Sequence, residues 1–171
     1  GVEVKGSSSS DDTASTDNAS ASAIAKAAAI NKVSSDTGVT AEVNTNTVGG
    51  SVQTAAAASA DGVVTVNGVA IDVSVTTDAA STRASVTEAI NAVSEQTGVT
   101  AVNSGEDGNG VTLEAADGRN IEIALAGLTA ANTGLAAAGT YEGTFTLISE
   151  DEFTIDGGDG AGFADLTNSC L

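Results

Sequence analysis

An internal repeat constrains this chain more than any other feature of its sequence. Residues 29–41, AINKVSSDTGVTA, recur sixty positions later as residues 89–101, AINAVSEQTGVTA, and the first copy differs only at Lys32, Ser35 and Asp36. So close a match indicates one structural unit that is used twice. We therefore expect residues 23–48 and 83–104 to superpose as helix-turn-strand units.

The first copy has the pattern of a short helix that ends at a glycine. The stretch from Ala23 to Ser35 is rich in alanine, the best helix former. Its apolar residues share one predicted face: Ala23, Ala27, Ile30 and Val33. Gly38 then offers a left-handed helix end with positive φ, and Val39 is placed to pack back onto the helix.

The second copy carries the same signals. Val86, Ile90 and Val93 follow the i, i+4, i+7 spacing of an apolar helical stripe. Ser85 and Glu88 have the spacing of a capping box and predict the helix start. Gly98 takes the place of Gly38 as the predicted helix end.

Strand signals follow each helix. Residues 39–48 alternate small apolar with polar side chains and predict one strand. Residues 63–66 and 69–75 flank Asn67-Gly68, a pair that fits a type I′ turn and predicts a hairpin.

Later segments continue the strand pattern. Residues 111–115 and 121–125 predict a second hairpin around the turn at 116–120. A strand is predicted over 140–149, with Tyr141, Phe145 and Leu147 on one face, and a short one over 153–155.

These elements predict an α+β fold of antiparallel, β-rich small domains, each with one short helix on one face of its sheet. The predicted organisation has four segments: a polar, loop-like lead-in at 1–22, a first repeat unit at 23–60, a hairpin plus second repeat unit at 61–128, and late strands with a Gly- and Asp-rich tail at 129–171.

Three acidic segments are candidate sites. Gly105–Gly110 lacks the spaced ligands of a calcium loop, so a polar turn is the better interpretation. Residues 156–165 resemble a calcium-binding β-roll nonapeptide, but Gly162 stands where Asp is needed and the unit occurs once. The run Glu150-Asp151-Glu152 is interpreted as a solvated charge run. We expect no metal site.

Ile30-Asn31 and Ile90-Asn91 are the most informative pairs in the chain. Asparagine is a mediocre helix former, and its identical placement in both copies favours a structural role over ligand contact. We predict that each side-chain amide bonds the backbone of a neighbouring strand or loop. Arg119 is predicted to be a turn residue with a local carboxylate partner.

Composition excludes several functions. Five Lys+Arg stand against 23 Asp+Glu, for a net charge of −18, which disfavours nucleic acid and anionic membranes as partners. The chain has no histidine, so the usual general base and metal ligand is missing. Its single cysteine, Cys170, is interpreted as incidental. We expect neither catalytic residues nor a cofactor.

The two repeats, together with residues 110–121, GVTLEAADGRNI, resemble the flagellin hook IN motif of bacterial flagellins and hook-associated proteins. Ile30-Asn31 and Ile90-Asn91 match the pair that names the motif, and residues 140–149 are similar to a late strand of the same region. The resemblance covers most of residues 23–156. The long terminal helices through which flagellins polymerise have no counterpart in this sequence.

The resemblance implies a structural, surface-exposed outer domain of a flagellar filament, extracellular and contributing to motility. The implied motif residues are Ile30, Asn31, Gly38, Ile90, Asn91 and Gly98. Partners would be other flagellin subunits, with weak lateral contacts between outer domains. Alternatives are a hook-associated or filament-cap domain and, from another class, a cell-surface adhesin module. The start at Gly1 without methionine suggests a piece of a longer protein.

Overall fold

The computed structural model describes residues 1–156. Its helices are α1 (Ala23–Asn31), α2 (Ser34–Thr37), α3 (Ala79–Asn91), α4 (Ser94–Thr97) and α5 (Ala130–Thr133). Its strands are β1 (Val39–Val43), β2 (Asn46–Val48), β3 (Ala60–Val66), β4 (Val69–Val75), β5 (Thr100–Asn103), β6 (Val111–Ala115), β7 (Ile121–Ala126), β8 (Gly139–Tyr141) and β9 (Phe145–Ser149). All strand pairings are antiparallel, so the predicted α+β class is confirmed.

The strands form three sheets. Their orders are β1-β9, β2-β6-β5 and β4-β3-β7-β8. The two larger sheets and α3 share the main core, which is built mostly from valine, isoleucine and leucine. Its fully buried large side chains include Val64, Val75, Val86, Ile90, Val111, Leu113, Ile121 and Ile123.

The hairpin β3–β4 confirms the prediction made from Asn67-Gly68. Val66 pairs with Val69, and the two turn residues have φ of 46° and 79°. Two positive φ values give the type I′ twist that matches the strands on either side. The Asn67 side chain is buried and ties the turn to its neighbours: Nδ2 donates to Thr97 O, and Oδ1 accepts from Glu122 N.

The predicted hairpin between 111–115 and 121–125 is wrong. β6 pairs with β2 and β5, whereas β7 pairs with β3 and β8 in a different sheet. Both strands bury alternate residues in the main core, as their patterns indicate. Their partners are set by distant parts of the chain, which a local turn signal does not report.

The two long predicted strands are each broken in two. The segment 39–48 leaves the β1–β9 ribbon at Asn44 and enters another sheet as β2. The segment 140–149 breaks in the same way between β8 and β9. The breaks lie side by side, because Asn44 N–H donates to Thr144 O at 2.9 Å. Gly143 is required there, since a Cβ would lie 2.6 Å from Gly118 O.

Several predicted element ends also shift. The predicted helix 23–35 ends as α1 at Asn31, and a separate short turn, α2, follows it. The capping-box start at Ser85 and Glu88 is wrong, because α3 begins at Ala79 after the N-cap Asp78. The hydroxyl and N–H of Ser81 bond the Asp78 carboxylate and hold its pKa below the usual value.

No strand forms at the predicted position 153–155. Phe153 and Ile155 are half-buried in a segment that pairs with no strand of residues 1–156. A strand of three residues needs a partner for its backbone groups, and apolar alternation alone does not supply one.

A second, smaller core lies under the first copy. The buried positions of α1 are the alternate residues Ala23, Ala25, Ala27 and Ala29, whereas Ile30 and Val33 of the predicted face are half-exposed. The lead-in accounts for this difference. It forms two 3₁₀ turns, Ser9–Asp11 and Ala19–Ala21, which pack against α1 where small side chains allow close approach.

The lead-in is also anchored to the second unit. Asn120 Nδ2 donates to the carbonyls of Asp17 and Asn18, and Asn120 N–H donates to Ser15 Oγ. Strand pairing likewise joins different predicted segments, since β1 pairs with β9 and β2 with β6. The segment boundaries at 22, 60 and 128 remain predictions. The β-roll-like residues 157–165 and Cys170 lie outside the described residues.

Candidate structural site at the repeated helix–strand junction

The two Ile-Asn motifs build the same junction. Asn91, the last residue of α3, donates from Nδ2 to Ala101 O at 2.9 Å and accepts from Ala101 N at 2.8 Å. Asn31, the last residue of α1, makes the same pair of bonds to Ala41, at 2.9 and 2.8 Å. The prediction that these amides bond the backbone of a neighbouring strand is confirmed in both copies.

Each asparagine occupies the outer edge of a strand. Ala41 lies opposite Leu147, and Ala101 lies opposite Leu113, so each alanine has one strand neighbour and one free side. The amide fills that free side with one donor and one acceptor, as the backbone of a further strand would. An unpaired strand edge can pair with another chain. The junction therefore protects the edge of β1 in the first copy and the edge of β5 in the second.

The helix-ending glycines behave as predicted. Gly38 and Gly98 have φ of 69° and 70°, and each N–H donates at 2.8 Å to the carbonyl four residues earlier, that of Ser34 or Ser94. The preceding threonine adds a second bond: Thr97 Oγ1 accepts from Val99 N at 3.1 Å. These bonds turn the chain sharply from helix into strand.

The copies differ in what covers them. Ile90 and Val86 are fully buried against the two larger sheets. Their counterparts in the first copy are Ile30, half-exposed, and Lys26, which bonds Glu142 Oε2 at 3.2 Å. The junction is therefore shared, but only the second copy has a full sheet packed on its helix.

Arg119 has the local carboxylate partner that its sequence predicts. Its Nε and Nη2 bond Asp117, with Nη2 to Oδ2 at 2.6 Å, and Nη1 lies 3.4 Å from Thr97 O. Burial raises the pKa of Asp117, but the bonds from Arg119 outweigh it and hold that pKa below its usual value. The guanidinium lies over Gly98, where a Cβ would be 2.2 Å from Cζ.

Arg83 is a buried structural residue that the sequence interpretation missed. Its side chain is 4% exposed and pairs with Asp107, while Nη1 also donates to Gln53 Oε1 at 2.8 Å and Nε to Asn103 Oδ1 at 3.3 Å. It thereby ties α3 to the 103–110 loop and to the 49–55 linker. A signal was present: Arg83 stands three residues before Val86, on the buried stripe of the helix.

The remaining acidic candidates within residues 1–156 lie in loops and turns. Asp107 is engaged by Arg83, so Gly105–Gly110 is a turn tied to α3. Glu150, Asp151 and Glu152 are exposed. Within residues 1–156 no three acidic or sulfur side chains come together to hold a metal ion, and no helix there is long and apolar enough to cross a membrane.

Comparison of this chain with models of known protein families found no match, and comparison with curated proteins also found none. The geometry of the chain defines a structural junction, in which an asparagine side chain makes the hydrogen bonds that a neighbouring strand would otherwise make.

Proposed function

We propose that this chain is a solvent-facing outer domain of a bacterial flagellar filament protein, with a structural and not an enzymatic role. The observation that carries the proposal is the doubled junction, in which the motif resembling that of flagellins makes the same pair of hydrogen bonds in both copies. Its partners would be neighbouring copies of the same subunit, outside the cell.

The surface chemistry supports this role. A charge of −18 on 171 residues keeps crowded domains apart and soluble at the high local concentration of a filament surface. The side chains of Asn31, Asn67 and Asn91 donate hydrogen bonds to backbone carbonyls of other segments. Such an arrangement maintains shape and leaves few groups for binding or catalysis.

The adhesin alternative receives less support. Carbohydrate recognition commonly uses exposed aromatic platforms, and the chain has one tyrosine and three phenylalanines. Tyr141 is half-buried, and its hydroxyl donates to Ala137 O at 2.9 Å. Phe145 and Phe153 are also half-buried.

Immunogold labelling separates these hypotheses. Antibodies raised against the folded chain are applied to intact cells of the source organism and to filaments sheared from them. We expect gold particles along the whole filament. Labelling confined to the tip or to the hook–filament junction would support a cap or hook-associated domain. Labelling of the cell body with bare filaments would overturn the proposal and favour an adhesin.

A further inference from the structure

Strand β9 is the counterpart in the first unit of β6 in the second. Ala41 lies opposite Leu147 as Ala101 lies opposite Leu113. The hydroxyl contacts agree as well, since Thr40 Oγ1 reaches Ile148 O and Thr100 Oγ1 reaches Glu114 O, both at 3.4 Å. The first unit is therefore completed by a strand from more than 100 residues later in the chain.

The counterpart strands differ on their far side. β6 is the central strand of its sheet, because β2 pairs with it over Leu113–Ala115. β9 pairs with β1, and no second strand of residues 1–156 lies beside it. The sheet at the second junction thus has a third strand, β2, whereas the sheet at the first junction has none among residues 1–156.

The register identifies the free backbone groups. Asn44 N–H donates to Thr144 O, so Thr144 and alternate residues after it direct their backbone groups toward β1. The groups of Phe145, Leu147 and Ser149 then point away from β1. In β6 the equivalent groups are used: Val111 N–H donates to Gly134 O at 2.8 Å, and Leu113 and Ala115 face β2.

Side-chain burial shows the same difference. Val111 and Leu113 are fully buried, whereas Phe145 and Leu147 are half-exposed, and Ile148 on the opposite face is 44% exposed. A strand placed beside β9 would gain backbone hydrogen bonds and would cover apolar side chains, the two sources of affinity and specificity in strand addition.

The rim of this edge is acidic. Glu142 precedes β9, and Glu150, Asp151 and Glu152 follow it, all exposed. Lys26, the basic residue at this end, is already bonded to Glu142. An incoming strand would therefore be favoured by basic residues on its flanks.

We propose that the outer edge of β9 accepts an extended strand from a partner protein, with alternating small apolar side chains and lysine or arginine at its flanks. A second copy of this chain fits poorly, because it brings the same acidic rim and a charge of −18 to the contact. The proposal goes beyond a filament role and does not depend on it.

A synthetic peptide tests the proposal on the full chain. The probe is Val-Thr-Val-Thr-Val with two lysines at each end, and the matched control has glutamates in place of the lysines. We expect saturable binding of the lysine peptide, with new amide-exchange protection at Leu147 and Ser149. The glutamate peptide should bind at least about tenfold more weakly, a difference of about 1.4 kcal/mol.

Two variants locate the contact. Leu147→Pro removes an outward N–H without removing a bond to β1, so it should abolish binding while Thr146 and Ile148 amides stay protected. Replacing Glu150, Asp151 and Glu152 together by lysine should reverse the preference and favour the glutamate peptide.

Three results would overturn the proposal. Leu147 and Ser149 amides already protected in the chain alone would show that its own residues cover the edge. Protection that rises with protein concentration would identify a second copy as the occupant. Equal binding of both peptides, or binding unaffected by the Leu147→Pro and lysine variants, would show that the β9 edge is not the site.

Discussion

Asparagine side chains supply much of the specificity that a core of small residues cannot. Five of them bond backbone groups of other elements: Asn31, Asn46, Asn67, Asn91 and Asn120. Small side chains each bury little apolar area, so many packings would be similar in energy. Asn46, Asn67 and Asn120 are buried, whereas Asn31 and Asn91 are exposed and bond the backbone of the buried Ala41 and Ala101. These hydrogen bonds discriminate among the packings, because a buried group left unpaired costs about 1–3 kcal/mol.

Replacement of Asn91 by aspartate should measure the contribution of the hydrogen bond that Asn91 Nδ2 donates to Ala101 O. The carboxylate cannot donate to Ala101 O and repels it, so we expect a loss of about 1–2 kcal/mol in the free energy of unfolding at neutral pH. Protonation restores a donor, so the deficit relative to wild type should shrink below about pH 4. Urea denaturation across pH measures this.

The control for that experiment is Asn91→Ala, which should be destabilised without recovering in acid. A deficit for Asn91→Asp that is constant from neutral pH to pH 3 would contradict the assigned hydrogen bond.

Replacement of the two helix-ending glycines by alanine should give unequal losses. Both have positive φ, which costs an L-residue roughly 1 kcal/mol. At Gly38 a Cβ meets no atom within 4 Å, whereas at Gly98 it would displace the guanidinium of Arg119. We therefore expect Gly98→Ala to lower the melting temperature more than Gly38→Ala. Equal shifts in calorimetry would count against a contact of Arg119 with this helix end.

At the scale of elements, the sequence predicted what is local. The repeat predicted both junctions and the positive φ at Gly38 and Gly98, and Asn67-Gly68 predicted the β3–β4 hairpin, because each depends on residues that are close together in the chain. The β6–β7 hairpin failed because strand partners are chosen by non-local packing. Nothing near Ala115 shows that β2, from far earlier in the chain, pairs with it.

The same limit hid the role of Arg83. Its helical position was visible, but its partners Gln53 and Asp107 come from separate loops. Arg83→Met should cost about 2–4 kcal/mol, since it leaves buried acceptors such as Gln53 Oε1 unpaired. Hydrogen exchange of the amides at 104–110 should also speed up.

Asp107 provides the matched variant, because its side chain is 64% exposed and water can replace its partner. Asp107→Asn should cost less than about 1 kcal/mol, as for other exposed ion pairs. If Arg83→Met and Asp107→Asn lose the same free energy of unfolding, the stabilisation comes from the Arg83–Asp107 ion pair. It would then not come from the hydrogen bonds of Arg83 to Gln53 and Asn103.

The stability of the folded lead-in should depend on pH through Asp12. Burial raises the pKa of this carboxyl, but the N–H groups of Ala14 and Ser15, which donate to Oδ1 at 2.8 and 3.0 Å, and the proximity of the Ser15 and Ser22 hydroxyls outweigh it and lower that pKa below its usual value. A lowered pKa in the folded state stabilises the fold above pH 3.8, and this stability is lost as pH falls through the folded value. Asp12→Asn should therefore be less stable than wild type at pH 6.

The difference between the Asp12→Asn and wild-type proteins should narrow below pH 3.8. Urea denaturation at several pH values measures it. A difference that stays constant between pH 6 and pH 2.5 would show that the Asp12 charge does not stabilise the folded lead-in.

At the scale of the whole molecule, the chain has a larger and a smaller core, and the segments 39–48 and 139–149 pass from one to the other. The larger core is closed by two sheets and α3, whereas the smaller one depends on alanines, the lead-in and the β1–β9 ribbon. Strand edges of both cores are protected by polar groups: Asn31 closes the edge of β1, Asn91 closes the edge of β5, and acidic residues flank the edge of β9. Such devices limit edge-to-edge aggregation.

This protection, together with the charge of −18, predicts that the isolated chain stays monomeric and forms no filaments. Copies repel one another over about 8 Å at physiological ionic strength, and salt shortens that reach to about 3 Å at 1 M. Any lateral contact should therefore be weak and should strengthen with salt. Sedimentation velocity at low, physiological and 1 M salt measures whether the chain is monomeric and whether its self-association strengthens with salt. Filaments assembled from residues 1–171 alone would mean that the polymerising surface lies within this region. A stable, salt-insensitive dimer would mean that outer domains pair specifically and do not simply repel one another.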